Sequence, residues 1–197
     1  MSIQKQLLSG DQARLEIDLD EMFGTLVPDS SEFRQAVGQA IIDRIRNRTL
    51  EGESRLNKSF KNYSEEYAES FEFKVYGKSK NEPNLKASGD MLNSMDIIEE
   101  KKNKIVIGWN DDVNPAKAHG HITGNVGVKR DFLGLPNDEY ESIKRDIEER
   151  FPLQFGDIET QSSVGRVQDF LAGEVTVREN QTLGSIIRTF FDGEEDL

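Results

Sequence analysis

The chain has no cysteine, and among its 197 residues only two are histidine and one is tryptophan. Without cysteine there is no disulfide, no thiolate nucleophile and no sulfur-ligated zinc site. Long apolar runs are also missing. None approaches the roughly 20 residues that cross a bilayer, and Met1 to Leu8 lack the apolar centre of a signal peptide. The expectation is a protein made in the cytoplasm, with no membrane partner. Positive charge is scarce as well: 25 Lys and Arg face 37 Asp and Glu, a formal charge of -12. Proteins that grip phosphate carry basic patches, so tight DNA binding is disfavoured. The same acidity suits the wall of a channel through which DNA slides, or simply solubility. A mean hydropathy of -0.65 is polar for a compact enzyme, yet short of a disordered composition. Apolar surface reserved for a partner subunit, or extended arms, accounts for it.

What is present reads as an α+β body over residues 1–155, followed by a C-terminal extension or arm over 156–197. Arg14 to Leu19 alternates polar and apolar residues, as in a half-buried strand. Asp29 as cap, with Glu32 three residues on, opens a helix. Phe33, Val37, Ile41 and Ile45, with Ala36 and Ala40, give that helix an apolar stripe to about Arg48. This is a long N-terminal amphipathic helix packed on an antiparallel sheet. Glu51 to Asn62 is turn-like, Tyr63 to Tyr67 a short helical turn, and Phe71 to Tyr76 has the strong formers of a strand. Met95–Glu100 and Lys104–Trp109 flank a turn as an antiparallel hairpin. Asn110 to Lys129, rich in glycine, reads as a long loop ordered by a partner. A further helix spans about 137–150, with Tyr140, Ile143 and Ile147 as its stripe. In the arm, 164–171 and 183–191 read as helices and 174–178 as a strand.

The search for chemistry finds little. His119 and His121 form an H-x-H pair, which ligates a metal only with a third ligand and an extended backbone; Asp111 and Asp112 are the nearest candidates. A solvated or interfacial histidine pair is the competing reading. Gly120, Gly124 and Gly127 do not make a phosphate loop, and no nucleophile elbow occurs. Glu65-Glu66 and Glu99-Glu100 are adjacent carboxylates that point apart on any regular element. Arg44, Arg46, Arg48, Arg55, Lys58 and Lys61 form the one basic region, suited to phosphate contact or, with Asp43, Glu51 and Glu53 interspersed, to an acidic neighbour. The reading therefore assigns no catalytic, cofactor or metal residue and expects no enzyme.

Five segments in order carry a resemblance. Phe60-x-x-Tyr63-Ser64-x-x-Tyr67 comes first, then Leu85-x-x-Ser88-Gly89-Asp90-Met91-Leu92-Asn93-Ser94-Met95. Val106-Ile107-Gly108 and Ala118-His119 with Gly124 follow, and Arg130-Asp131-Phe132-Leu133-Gly134-Leu135 closes the set. Together they resemble the phage virion-morphogenesis or tail-completion family, whose members show "PYSP-Y", "TG-ML-S" and "R-FLGLS" elements in this order. Ser88 stands where that family has threonine, Asn62 where it has proline, and nothing past about residue 155 matches. The residues singled out as fold-determining or interfacial are Tyr63, Tyr67, Gly89, Met91, Leu92, His119, Arg130, Phe132, Leu133 and Leu135. Phe132, Leu133 and Leu135 look like an apolar plug ahead of the last helix, and Arg130 like a donor to a carboxylate or carbonyl.

The resemblance implies a structural subunit of a head–tail junction: a neck, tail-completion or tail-terminator ring in the virion, made in host cytoplasm. Its partners would be copies of itself, as a hexamer or a dodecamer, and neighbouring neck, portal-side or tail-tube proteins. Double-stranded DNA would pass through the lumen without specific binding. The alternatives are a transient assembly factor absent from the virion, and a metal-dependent enzyme using His119 and His121.

Overall fold

A computed structural model of the chain describes residues 2–24, 28–125 and 127–151. The expected arm, with its two helices and strand, lies outside the described residues. Four antiparallel strands and seven helices among those residues make the fold α+β. The first element is a strand, not a helix. β1 (Gln4–Ser9) and β2 (Gln12–Asp18) form a hairpin turned at Gly10-Asp11, and α1 (Leu19–Phe23) follows directly. Sequence reading carried the second strand to Leu19 and passed over β1. In fact Asp18 ends the strand and caps α1, accepting from the Glu21 amide at 2.9 Å.

α2 (Ser31–Leu50) is the 20-residue helix that organises the core. Its cap is Ser30, whose Oγ accepts from the Phe33 amide at 3.2 Å. Asp29, expected in that role, instead pairs with Arg34 at 3.0 Å. Phe33, Val37, Ile41, Ile42 and Ile45 are buried on one face, the i, i+4 stripe that a core-facing helix requires. Gly38 lies on that face because α2 runs close over the sheet: a Cβ there would stand 2.3 Å from Ile97 Cδ1. α3 (Glu65–Glu69) and α4 (Phe71–Val75) are single turns, and α5 (Asp90–Asn93) is another. β3 (Asp96–Lys101) and β4 (Lys104–Gly108) complete the sheet in the order β1-β2-β4-β3. Ala13, Leu15, Ile17, Ile105 and Ile107 share its inward face. Arg14, Glu16 and Lys104 occupy the other face, with Lys104 and Glu16 paired at 2.9 Å.

Two expectations are corrected. Phe71 to Tyr76 is the helical turn α4 rather than a strand. A strand would put Phe71, Phe73 and Val75 on one face. Here Phe71 and Val75 are 80% and 61% exposed and only Phe73 is buried. Asn110 to Lys129 is not a structureless loop, for it contains α6 (Val113–Thr123). Asp111 Oδ1 accepts from the Val113 and Asn114 amides, Pro115 sits in the first turn, and Gly124 closes the helix. α7 (Asn137–Arg150) packs beside α2 with Tyr140, Ile143 and Ile147 buried.

Candidate functional site

The segment from Asp131 to Leu135 has no regular structure, yet Phe132, Leu133 and Leu135 are fully buried. A buried irregular backbone must find partners for its polar groups, and this one finds one for every carbonyl from 131 to 135. The Asp131 carbonyl accepts from the Arg55 amide at 2.9 Å, and the Phe132 carbonyl from Arg48 Nη2 at 3.2 Å. Gln6 Nε2 donates to the Leu133 carbonyl at 2.6 Å, Arg48 Nη2 to that of Gly134, and Gln4 Nε2 to that of Leu135 at 2.5 Å. Five consecutive carbonyls are thus held by three separate parts of the chain. Gln4 and Gln6 both reach the segment because residues two apart on a strand share a face. Gln4 Oε1 also accepts from the Leu135 amide and the Tyr140 hydroxyl. Asp131 is tied to Arg55 at 2.8 Å.

Gly134 is needed at the centre of this strap. Its φ is +131°, and a Cβ would stand 2.5 Å from Gln4 Oε1. Arg48 was expected in a basic surface cluster; instead it is 3% exposed and serves the strap from inside. Burial pushes its pKa down, opposed by Glu139 at 4.0 Å. Burial likewise raises the Glu139 carboxyl, with Arg48 pulling the other way. Of the remaining cluster, Arg46 bonds the Leu92 carbonyl and Asp43, and Arg55 is taken by Asp131. The six basic residues therefore do not form one phosphate-facing patch.

Arg130 begins the strap and faces a different group. Its Nη2 donates to the Lys61 carbonyl at 3.2 Å, and its guanidinium lies 4.8 Å from the Tyr63 ring centre. Tyr63, Tyr67 and Phe73 pack together with centroids 5.3 to 5.5 Å apart. The Tyr63 hydroxyl donates to the Asn84 carbonyl and accepts from Lys78 Nζ at 3.2 Å. Lys78 also lies 4.9 Å from the Tyr63 ring centre. His121 on α6 accepts the Arg130 amide through its own carbonyl at 2.8 Å. Burial, then the charges of Arg130 and Lys78, push the His121 imidazole down to about 4. Burial also depresses Lys78 and Arg130 and raises Tyr63 and Tyr67.

The structure brings Tyr63, Tyr67 and Arg130 together, and seats Phe132, Leu133 and Leu135 in the core next to them in sequence. Met91 and Leu92 are core residues of α5, where the Trp109 indole donates to the Met91 carbonyl at 2.6 Å. Gly89, at φ +93°, is the residue from which α5 starts. His119 stands apart from all of these on α6. Two residues along a helix, about 200° of rotation at 3.6 residues per turn, separate it from His121. The pair cannot converge on one ion, and among the described residues no group of three or more His, Asp or Glu can hold a metal. Sequence reading missed Lys78, Gln4 and Gln6. The only signal was the Gln4, Gln6 spacing in a strand that went unread.

No protein-family model, curated protein or solved structure matches the chain.

Proposed function

We propose that the chain is a structural ring subunit of a phage head–tail junction, a neck, tail-completion or tail-terminator protein. What carries the reading is the ordered set of resembling residues, above all Arg130 to Leu135. These residues act as one unit of the fold: the strap is buried and anchored at every carbonyl from 131 to 135, and its first residue stacks on Tyr63 of the first resembling segment. Residues used this way are fold determinants, as in a protein whose work is shape and contact rather than catalysis. In this reading α2, the long amphipathic helix, and the sheet form the ring wall, in a hexamer or a dodecamer. Exposed carboxylates face the lumen so that DNA passes without sticking. Neighbouring rings contact the body and the arm over 156–197.

Imaging the necks of purified particles tests this directly. The expected map shows a ring of this chain coaxial with the DNA path, lined by carboxylates. A particle that lacks the chain would point to a transient assembly factor, and a lumen lined by Arg44 and Arg46 would refute the charge assignment.

A further inference from the structure

Buried cations normally come with carboxylates, because desolvated charge is costly without a counter-charge. The cluster around Tyr63 breaks that rule. Arg130 is 6% exposed and its Nε has no partner. Lys78 is half-buried, and its ammonium meets only the Tyr63 hydroxyl and the Tyr63 and Tyr67 ring faces. Arg130 meets the neutral Tyr63 ring and the Lys61 carbonyl, and the charge that acts on Lys78 is that of Arg130 itself. No carboxylate among the described residues comes close enough to offset either. The third basic group, His121, leaves its Nδ1 buried and unpartnered beside them. Among the described residues, Arg130, Lys78 and His121 thus gather at two tyrosine rings with no carboxylate paired to them, in a chain that carries 37 acidic residues.

We propose that this cluster is a receptor for a single carboxylate, supplied by an acidic side chain of a protein partner that inserts against Arg130 and Lys78. A guanidinium offers a carboxylate paired donors in one plane, and a second cation would bind its outer edge. The recessed position of Arg130 selects for one protruding side chain. A duplex backbone is too broad to reach a guanidinium this deeply buried, and the exposed Glu65, Glu66, Glu69 and Glu72 of α3 and α4 repel a polyanion along its length. The site is independent of whether the chain forms a ring, since any partner with a suitably placed Glu or Asp satisfies it.

The full chain can be titrated with glutarate, inorganic phosphate and a duplex oligonucleotide while the His121 ring protons are followed by NMR. Saturable binding of glutarate is expected, with the His121 pKa rising by about one unit as a neighbouring negative charge stabilises the imidazolium. Lys78→Gln, at a half-buried position that the core does not need, should weaken glutarate binding several-fold. Arg130→Gln should weaken it about tenfold or more, the loss expected for one charge-assisted hydrogen bond. Failure of glutarate to saturate, or equal binding by the Lys78→Gln chain, would overturn the proposal. Tighter saturable binding of phosphate or duplex would replace the carboxylate by a phosphate ligand and equally refute it.

Discussion

Two buried basic side chains set what single substitutions do to this protein. Arg48 donates to two carbonyls of the strap and faces Glu139 across 4.0 Å. Arg48→Met removes both bonds and leaves a largely buried carboxylate without its cation. A loss of about 3 to 5 kcal/mol is expected from breaking such a pair, read as a lower urea midpoint with unchanged slope. An unchanged midpoint would mean that water already does the work assigned to Arg48. His121 acts through pH. Its folded pKa, about 4, lies below the 6.5 of a free imidazole. The unfolded chain therefore takes up a proton first as pH falls, and stability is full above about 6.5 and declines toward 4. Over that window His121 accounts for about 2 to 3 kcal/mol of the loss. His121→Asn should flatten the acid limb by that amount relative to the parent chain, with the many carboxylates common to both cancelling in the difference.

At the level of elements, sequence pattern and structure part company where segments are short. The stripe Phe33, Val37, Ile41, Ile45 repeats over enough turns to define α2, and Tyr140, Ile143, Ile147 does the same for α7. Alternation over Phe71 to Tyr76 lasts only six residues, and Ser70 decides the outcome by capping a turn at the Phe73 amide. α6 was hidden by its own composition, since Gly120 and the flanking His119 and His121 near its end weaken helix propensity. Its start signals, Asp111 and Pro115, were nevertheless legible. The strap could be picked out as important from Arg130-Asp131-Phe132-Leu133-Gly134-Leu135, but its donors could not, because Gln4 lies 131 residues from Leu135. No local pattern encodes that pairing. The reassignment of α4 has a measurable result: Phe73→Ser should cost about 3 kcal/mol or more through lost packing on Tyr63 and Tyr67. Phe71→Ser should stay within about 0.5 kcal/mol because the ring is exposed. A strand would make the two losses similar in thermal unfolding.

For the whole molecule, the core among the described residues runs from Ala13 to Ile147 with Phe151 packed against it, and Met1–Leu153 make one compact unit. A chain ending at residue 155 is therefore expected to unfold cooperatively, with a thermal midpoint within a few degrees of the full chain. If the proposed ring role is right, the same truncation fails to complete infectious particles. Infectious particles from the truncated gene would remove the arm from assembly. A collapse of the thermal transition would show instead that the body needs it. The net charge of -12 belongs to this scale too. Identical acidic subunits repel, so closure of the proposed ring would rely on specific pairing at contacts rather than on general attraction.

The anchoring of the strap also dictates when the protein can finish folding. Gln4 and Gln6 sit at the start of the chain, and the carbonyls they hold are made some 130 residues later. During synthesis the β1–β2 hairpin emerges early with its two amide side chains unmatched, and it must wait while most of the body is translated. Closing so long a loop is slow and entropically unfavourable until other contacts reward it. The two ends of the body thus cannot lock together before residue 135 has been made, and a nascent chain stalled short of it would leave β1 exposed to protease digestion.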